Sequence, residues 1–251
     1  MRVFVRIIAF HLGIERLQFE SDKIQSTFVT CQLISDEATG TLTDFRASKT
    51  TNIQTRVSDD KYFNFINCCH RILSADGSSI FSNGDSVAVA SVNGPVEGKP
   101  PKFKEDRAVV DVTLHPKIGS SSIKERIIEG SIRRTCEHAV KLSYYPRNIV
   151  YVNIQEIQDD GGLTAACINS VCLALVHSGI KMNYLFAAVN ILINSRNEFV
   201  IDPTRRVIDD DCKALMTFVL DSVDFNIITS VTKGVFSDND YLTAQLSQRC
   251  L

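Results

Sequence analysis

The stretch VYVNIQEIQDDGGLT at residues 150–164 reads as a strand that runs into a tight turn and then a helix. Val150, Val152, Ile154 and Ile157 are β-branched and suit a pleated surface. Gly161 and Gly162 break that pattern and allow backbone angles that other residues avoid. Leu163, Ala166, Cys167, Ser170, Val171, Ala174, Leu175 and Ser178 then recur at helical spacing, several of them small enough for close packing. Gly179 stands where the C-cap of that helix belongs. A glycine turn that feeds a helix N-terminus has two readings. It is a common packing device, or it is an anion site, because the free N–H groups and the helix dipole both point at the bound charge.

The chain around this stretch has 251 residues, enough for one large domain or two small ones. Its formal net charge of −2 gives no global attraction for nucleic acid, so an RNA site has to be a local patch. The eight cysteines contain no Cys-x-x-Cys pair. Cys136, Cys167 and Cys172 fall on apolar helical faces, where a thiol acts as a small hydrophobe. That usage fits a reducing compartment, cytosol or nucleus, rather than a disulfide framework. The five histidines show no metal-ligand spacing and read as structural or surface groups. No apolar run is long enough for a membrane span, so no membrane partner is expected.

Upstream, Arg2, Arg6 and His11 interrupt the apolar start, which argues against a secretory signal; Glu15, Glu20 and Asp22 argue against a mitochondrial presequence. Residues 34–62 are rich in Ser, Thr, Asp and Asn and read as a linker or poorly ordered segment. Residues 1–63 are therefore expected to be an N-terminal extension, and 64–251 the folded domain. A first strand is expected at 67–73, and strands at 79–81 and 86–92 flank the hairpin signal Asn83-Gly84. Residues 98–107 form a polar loop whose Lys99, Lys102 and Lys104 could touch phosphates, although Glu105 and Asp106 dilute the charge. A strand at 108–115 leads to Ser121 or Ser122 as N-cap. Ile123, Ile127, Ile128, Ile132, Cys136, Ala139 and Val140 then predict a buried helical stripe.

Downstream of the glycine turn, strands are expected at 184–193 and 198–201, followed by Asp202-Pro203-Thr204. By itself Asp202 is a turn-initiating residue before proline. A last strand pair is expected at 214–223 and 225–231, with Thr232-Lys233-Gly234 as a turn and Ser237 or Asp238 capping a final helix.

Several of these motifs together resemble the RNase PH family. They are Asp76-Gly77-Ser78, Gly84-Asp85-Ser86, Gly94-Pro95-Val96-Glu97, the Asp160-Gly161-Gly162 turn and Asp202-Pro203-Thr204. His115-Pro116-Lys117-Ile118-Gly119, Arg134-Thr135-Cys136-Glu137 and Thr232-Lys233-Gly234 narrow the match to the branch of ring subunits called exosome component five in animals. The resemblance spans about residues 65–245. It implies an α+β chain with the RNase PH fold, mixed β-sheets with helices on one face and a βαβα core. In phosphorolytic members a Thr-Arg pair follows the two glycines and the arginine helps hold inorganic phosphate; here Leu163-Thr164 stand there. Thr164 offers one hydrogen bond and no charge. In those members the aspartate at the Asp202 position opens an Asp-Leu-x-x-x-Glu-Asp motif; here the acidic pair falls on Val207 and Ile208, and Asp209, Asp210 and Asp211 come just after. A rearranged loop would be needed to bring Asp209 into place, since misplacement by about 1 Å costs about 100-fold.

The resemblance thus implies a non-catalytic subunit that joins other RNase PH-like exosome subunits in a hexameric ring and supports 3′→5′ RNA processing and decay. Its Gly161, Gly162 and Thr164 would form a degenerate phosphate turn. By position Lys117, Lys124, Arg126 and Arg133 would face RNA, with a solvated helix face as the plain alternative for each. No cofactor is expected, and the location implied is nucleus, nucleolus and cytoplasm. The rival is an active phosphorolytic or metal-dependent 3′→5′ exoribonuclease working as a homodimer, with inorganic phosphate or Mg²⁺ and with Asp202 and Asp209 as its candidates. A third reading is an RNA-binding module outside the exosome.

Overall fold

The structure is a computed structural model and describes residues 51–57, 61–69, 74–98 and 104–249. The hairpin signal is realised: β3 (Gly77–Asn83) and β4 (Ser86–Glu97) pair antiparallel with Asn83 opposite Ser86. Gly84 turns the corner at φ 59°, a left-handed angle that glycine adopts freely.

Residues 51–57 and 61–62, read from composition as linker, instead begin the sheet. β1 (Thr51–Val57) pairs antiparallel with β2 (Lys61–Cys69), and β2 continues onto β3 with Phe65 opposite Asn83. The signal was present as an alternation: Thr51, Ile53, Thr55 and Val57 are β-branched, with Asn52, Gln54 and Arg56 between them. Polar alternate residues suit an edge strand, and composition alone mistakes them for a loop. Residues 1–50 and the expected lysine contacts at 99 and 102 lie outside the described residues.

β5 (Val109–His115), α1 (Ile123–Ala139), β6 (Asn148–Gln158) and α2 (Leu163–His177) form the βαβα core, with β5 and β6 parallel. The first sheet has the order β1-β2-β3-β4-β6-β5. Ser122 caps α1 in a capping box: its N–H donates to Glu125 Oε2 at 2.6 Å, and its Oγ accepts from the Lys124 N–H at 3.3 Å. Ile128, Ile132, Cys136 and Ala139 are buried as their spacing predicts, and Val140 beyond the helix is buried too. Ile123 and Ile127 are not; they are 77 % and 57 % exposed, and Thr135 takes a buried place. The reason is that α1 touches β5 on one flank and the second sheet on the other, where Thr135 Oγ1 meets Thr229 Oγ1 at 3.1 Å. The buried arc is set by those two contacts rather than by the full apolar stripe.

α2 is buried all round, from Ala165 to Leu175 without a break. A helix with no polar face is an interior helix. It packs against β3, β4 and β6 of the first sheet and β7 of the second, so it lies between sheets and not on an outer face. Asn169 ties it to β7 (Phe186–Ile193) by donating to the Ala188 carbonyl at 3.1 Å and accepting from the Ala188 N–H at 2.7 Å. Its C-cap is Ser178, with Gly179 next at φ 71°.

The second sheet is antiparallel with order β10-β9-β7-β8, built from β7, β8 (Phe199–Ile201), β9 (Ala214–Asp221) and β10 (Ile227–Gly234). Thr232, Lys233 and Gly234, expected as a turn, are the end of β10, with Gly234 opposite Ala214. Two helices complete it, the short α3 (Arg205–Asp211) and α4 (Asp238–Arg249). Ser237 caps α4, its Oγ accepting from the Asp240 N–H at 3.2 Å. Tyr241 of α4 meets Phe218 at a tilt of 54° with ring centroids 5.3 Å apart, over a smaller apolar cluster of Ile191, Ile193 and Met216. No helix among the described residues is long and apolar enough to cross a membrane.

Candidate functional site

The glycine turn links β6 to α2 as its residues predict. Gly161 sits at φ 97°, and Gly162 is the N-cap of α2 with no side chain to cap it. What the turn does with its N–H groups decides its chemistry. Gly161 N–H donates to Asp159 Oδ1 at 2.8 Å. The N–H groups of Asp160 and Gly162 both donate to Ser86 Oγ, at 2.9 and 3.2 Å. Three donors of the turn are thus spent inside the protein.

The Asp202-to-Asp211 segment closes over the same turn. A Cβ on Gly161 would lie 2.4 Å from Ile208 Cδ1 and 3.2 Å from the Pro203 carbonyl. Arg205, the first residue of α3, donates its N–H to Asp160 Oδ1 at 3.2 Å and its Nη1 to Asp159 Oδ2 at 3.0 Å. Its Nε also lies 3.7 Å from Asp209 Oδ2. Asp209 is therefore linked to the turn only through Arg205. Thr164 is half-buried in the first turn of α2 and carries no charge. The turn is rimmed by Asp159, Asp160 and Asp209, with Glu156 nearby, whose carboxyl is pushed up by burial and then by Asp159. An added phosphate would meet mostly like charge there.

Asp202 follows β8 at φ 48°. Its N–H donates to the Asn190 carbonyl at 2.9 Å, while its Oδ1 is sealed from solvent without a hydrogen-bond partner. Burial pushes this carboxyl up to about 6, against hydrogen bonds from the Asn83 side chain and the Asn190 backbone that lower it. Asn190 beneath the turn is buried with an unpartnered Nδ2, while its Oδ1 accepts from Thr217 Oγ1 at 2.7 Å. Mg²⁺ demands open octahedral coordination and keeps several waters. A carboxylate whose Oδ1 no water reaches does not fit that role.

The four candidate RNA residues do not form one patch. Lys117 is exposed in the loop after β5, and its backbone N–H bonds to Glu156. Lys124 and Arg126 are exposed but point apart, separated by about 200° at about 100° per residue of helix. Arg126 and Arg133 share the flank toward the outer edge of β5, where Arg133 lies 3.5 Å from Asp111. Sequence alone missed Ser86, Arg205, Asn190 and Ile208. Ser86 was visible only as part of Gly84-Asp85-Ser86, with nothing local to say that it holds a turn more than seventy residues away.

Ser86→Ala is expected to cost about 2 kcal/mol, because it strands two N–H groups in a buried site. Urea unfolding followed by circular dichroism measures it, and an unchanged midpoint would show that water replaces the hydroxyl.

With this geometry in view, the similarities can be stated. Residues 66–181 match the model of the 3′ exoribonuclease family, domain 1. The chain is 29% identical over 183 residues to the exosome complex exonuclease RRP46 homolog of Arabidopsis thaliana, covering 66% of this chain and 76% of that one. The crystal structure of rice (Oryza sativa) Rrp46 superposes with a TM-score of 0.70 at 27% identity, over 74% of this chain and 87% of that one. An archaeal exosome core chain superposes with a TM-score of 0.63 at 21% identity, over 74% and 82% of the two chains, a likeness of fold.

Proposed function

The chain belongs to the RNase PH family, of the Rrp46 type and with its α+β fold, and from that premise we propose that it is a non-catalytic, RNA-contacting subunit of the exosome ring. It assembles with other RNase PH-like exosome subunits in a hexameric ring and supports 3′→5′ RNA processing and decay, in nucleus, nucleolus and cytoplasm, without a cofactor of its own. One observation carries the reading: three N–H groups of the phosphate turn, those of Asp160, Gly161 and Gly162, are taken inside the protein. Ser86 Oγ and the Asp159 carboxylate take these three, and the nearby cation, Arg205, is held by Asp159 and Asp209. An oxyanion at these three N–H groups would have to break those bonds, and one anywhere on the turn would oppose the surrounding carboxylates. Exposed Lys117, Lys124 and Arg126, with Arg133 beside Asp111, would touch a passing strand from separate places rather than as one patch.

A second reading keeps one observation in its favour. Arg205 brings a guanidinium to the turn from another element, which is the charge that Thr164 lacks, and Asp209 comes with it. On that reading the chain is a phosphorolytic or metal-dependent 3′→5′ exoribonuclease acting as a homodimer.

The test incubates the purified full chain with end-labelled single-stranded RNA, with and without phosphate, in Mg²⁺, and identifies the products. The proposal expects intact RNA under every condition. Nucleoside diphosphates that appear only with phosphate would establish phosphorolysis, and monophosphates a hydrolytic nuclease; either overturns it.

A further inference from the structure

The far end of the core carries a basic and aromatic surface that the glycine turn does not use. It lies past the C-terminus of α1, a helix of 17 residues and thus about 25 Å long, whereas the turn lies toward the other end. Tyr144 stands 56 % exposed on the short helix that follows α1. Lys181 Nζ lies 4.5 Å from its ring centroid and Lys141 Nζ 5.8 Å. Arg107 lines the same open cavity of about 470 Å³, together with Lys141, Tyr144, Asn183 and one acid, Glu137.

The surface is held in shape by the backbone. The Lys141 N–H donates to the Lys181 carbonyl at 3.0 Å, and the Lys181 N–H donates to the Tyr145 hydroxyl at 3.3 Å. The Asn183 N–H takes the Ala139 carbonyl at the end of α1 at 2.7 Å, and its side chain donates to the His138 carbonyl at 3.3 Å. Asn183 meets the last two α1 carbonyls, those of His138 and Ala139, and the two ammonium groups lie at the tyrosine ring.

An exposed ring flanked by cations is the arrangement that binds single-stranded nucleic acid: bases stack on the ring and phosphates meet the charges. A lysine on an exposed ring is held more weakly than a base stacks there. An incoming base can therefore take the ring while the ammonium groups pass to its phosphates. We propose that Tyr144, Lys141, Lys181 and Arg107 form a contact site for single-stranded RNA, separate from the glycine turn and from the basic residues at 117–133. This inference rests on the reading of the chain as an RNA-contacting subunit. Glu137 within the cavity, and Glu105 and Asp106 beside Arg107, oppose a strand of indiscriminate path and favour one that sets its phosphates on the lysine side.

The test uses the full chain and a fluorescein-labelled single-stranded oligouridine containing 4-thiouridine, read by anisotropy across a salt series and by photo-crosslink mapping. Cross-links are expected in residues 141–147 and 181–183. Tyr144→Leu should weaken binding about tenfold. Lys141→Gln with Lys181→Gln should weaken it further and flatten the salt slope by about 1.4, as two phosphate contacts are lost. Cross-links confined to residues 117–133, with Tyr144→Leu binding like the wild type, overturn this site and leave the RNA-contacting reading standing. A wild-type chain that binds no RNA at any salt overturns both. Binding of a polyglutamate peptide that depends on Lys141 and Lys181, with RNA binding indifferent to them, overturns the site in favour of an acidic partner.

Discussion

Gly77→Ala is expected to destabilise the domain by about 3 kcal/mol or more, a drop of about 6–12 °C in Tm for a chain of this size. The cause is a close approach of backbones. A Cβ at Gly77 would lie 2.3 Å from the Ala174 carbonyl oxygen and 2.7 Å from both N and Cβ of Ser178. These atoms belong to the last turn of α2, so no side-chain rotation relieves the clash. Either β3 or the interior helix must retreat. The hydrogen bond from the Ser78 N–H to His177 Nδ1, at 3.0 Å, would go with it. Gly84→Ala in the same hairpin is the control. It has nothing within 4 Å and carries only the strain of φ +59, about 1 kcal/mol. Thermal unfolding of both variants decides the matter, and equal losses would show that α2 does not pack this closely on β3.

Asp202→Asn is expected to stabilise the protein at neutral pH and to leave its assembly unchanged. The Asp202 carboxyl is raised from 3.8 to about 6 by burial. The folded state therefore keeps its proton up to about pH 6, while the unfolded chain releases it near 3.8. Between those values the unfolded state binds fewer protons, so stability falls as pH rises. A shift of about two units amounts to about 3 kcal/mol lost by the time pH exceeds 6. Asparagine has no charge to bury and tolerates the positive φ. The variant should match the wild type near pH 4 and exceed it by up to about 3 kcal/mol at pH 7.5, read as urea midpoints across that range. A wild type whose midpoint runs parallel to that of the variant would mean that Asp202 ionises normally. The same substitution bears on function: a ring subunit should still assemble with its neighbours, whereas an enzyme built around this acid should lose its activity.

Much of the fold was legible because its signals are local. The hairpin at Gly84, the capping box of Ser122 and Glu125, and the strand-turn-helix across Gly161 and Gly162 each depend on backbone sterics or on hydrogen bonds only a few residues apart. The spaced motifs, read together, were enough for the family. That Leu163-Thr164 follow the glycines, and that Val207-Ile208 stand where the resemblance would place an acidic pair, was equally visible, since it needs only position in the chain.

Other features belong to the tertiary structure. That Ile123 and Ile127 face solvent while Thr135 is buried follows from where β5 and β10 meet α1, not from the period of the helix. That α2 has no outer face follows from the second sheet closing over it. At the candidate site, Asp202 changes from a turn residue to a buried acid, and Arg205 crosses 46 positions of sequence to hold Asp159. Periodicity and turn chemistry reach about one element along the chain. The state of a charge, by contrast, depends on which groups from distant elements surround it, and only the packing of the two sheets around α2 brings Ser86, Asp159, Asp202 and Arg205 to one place.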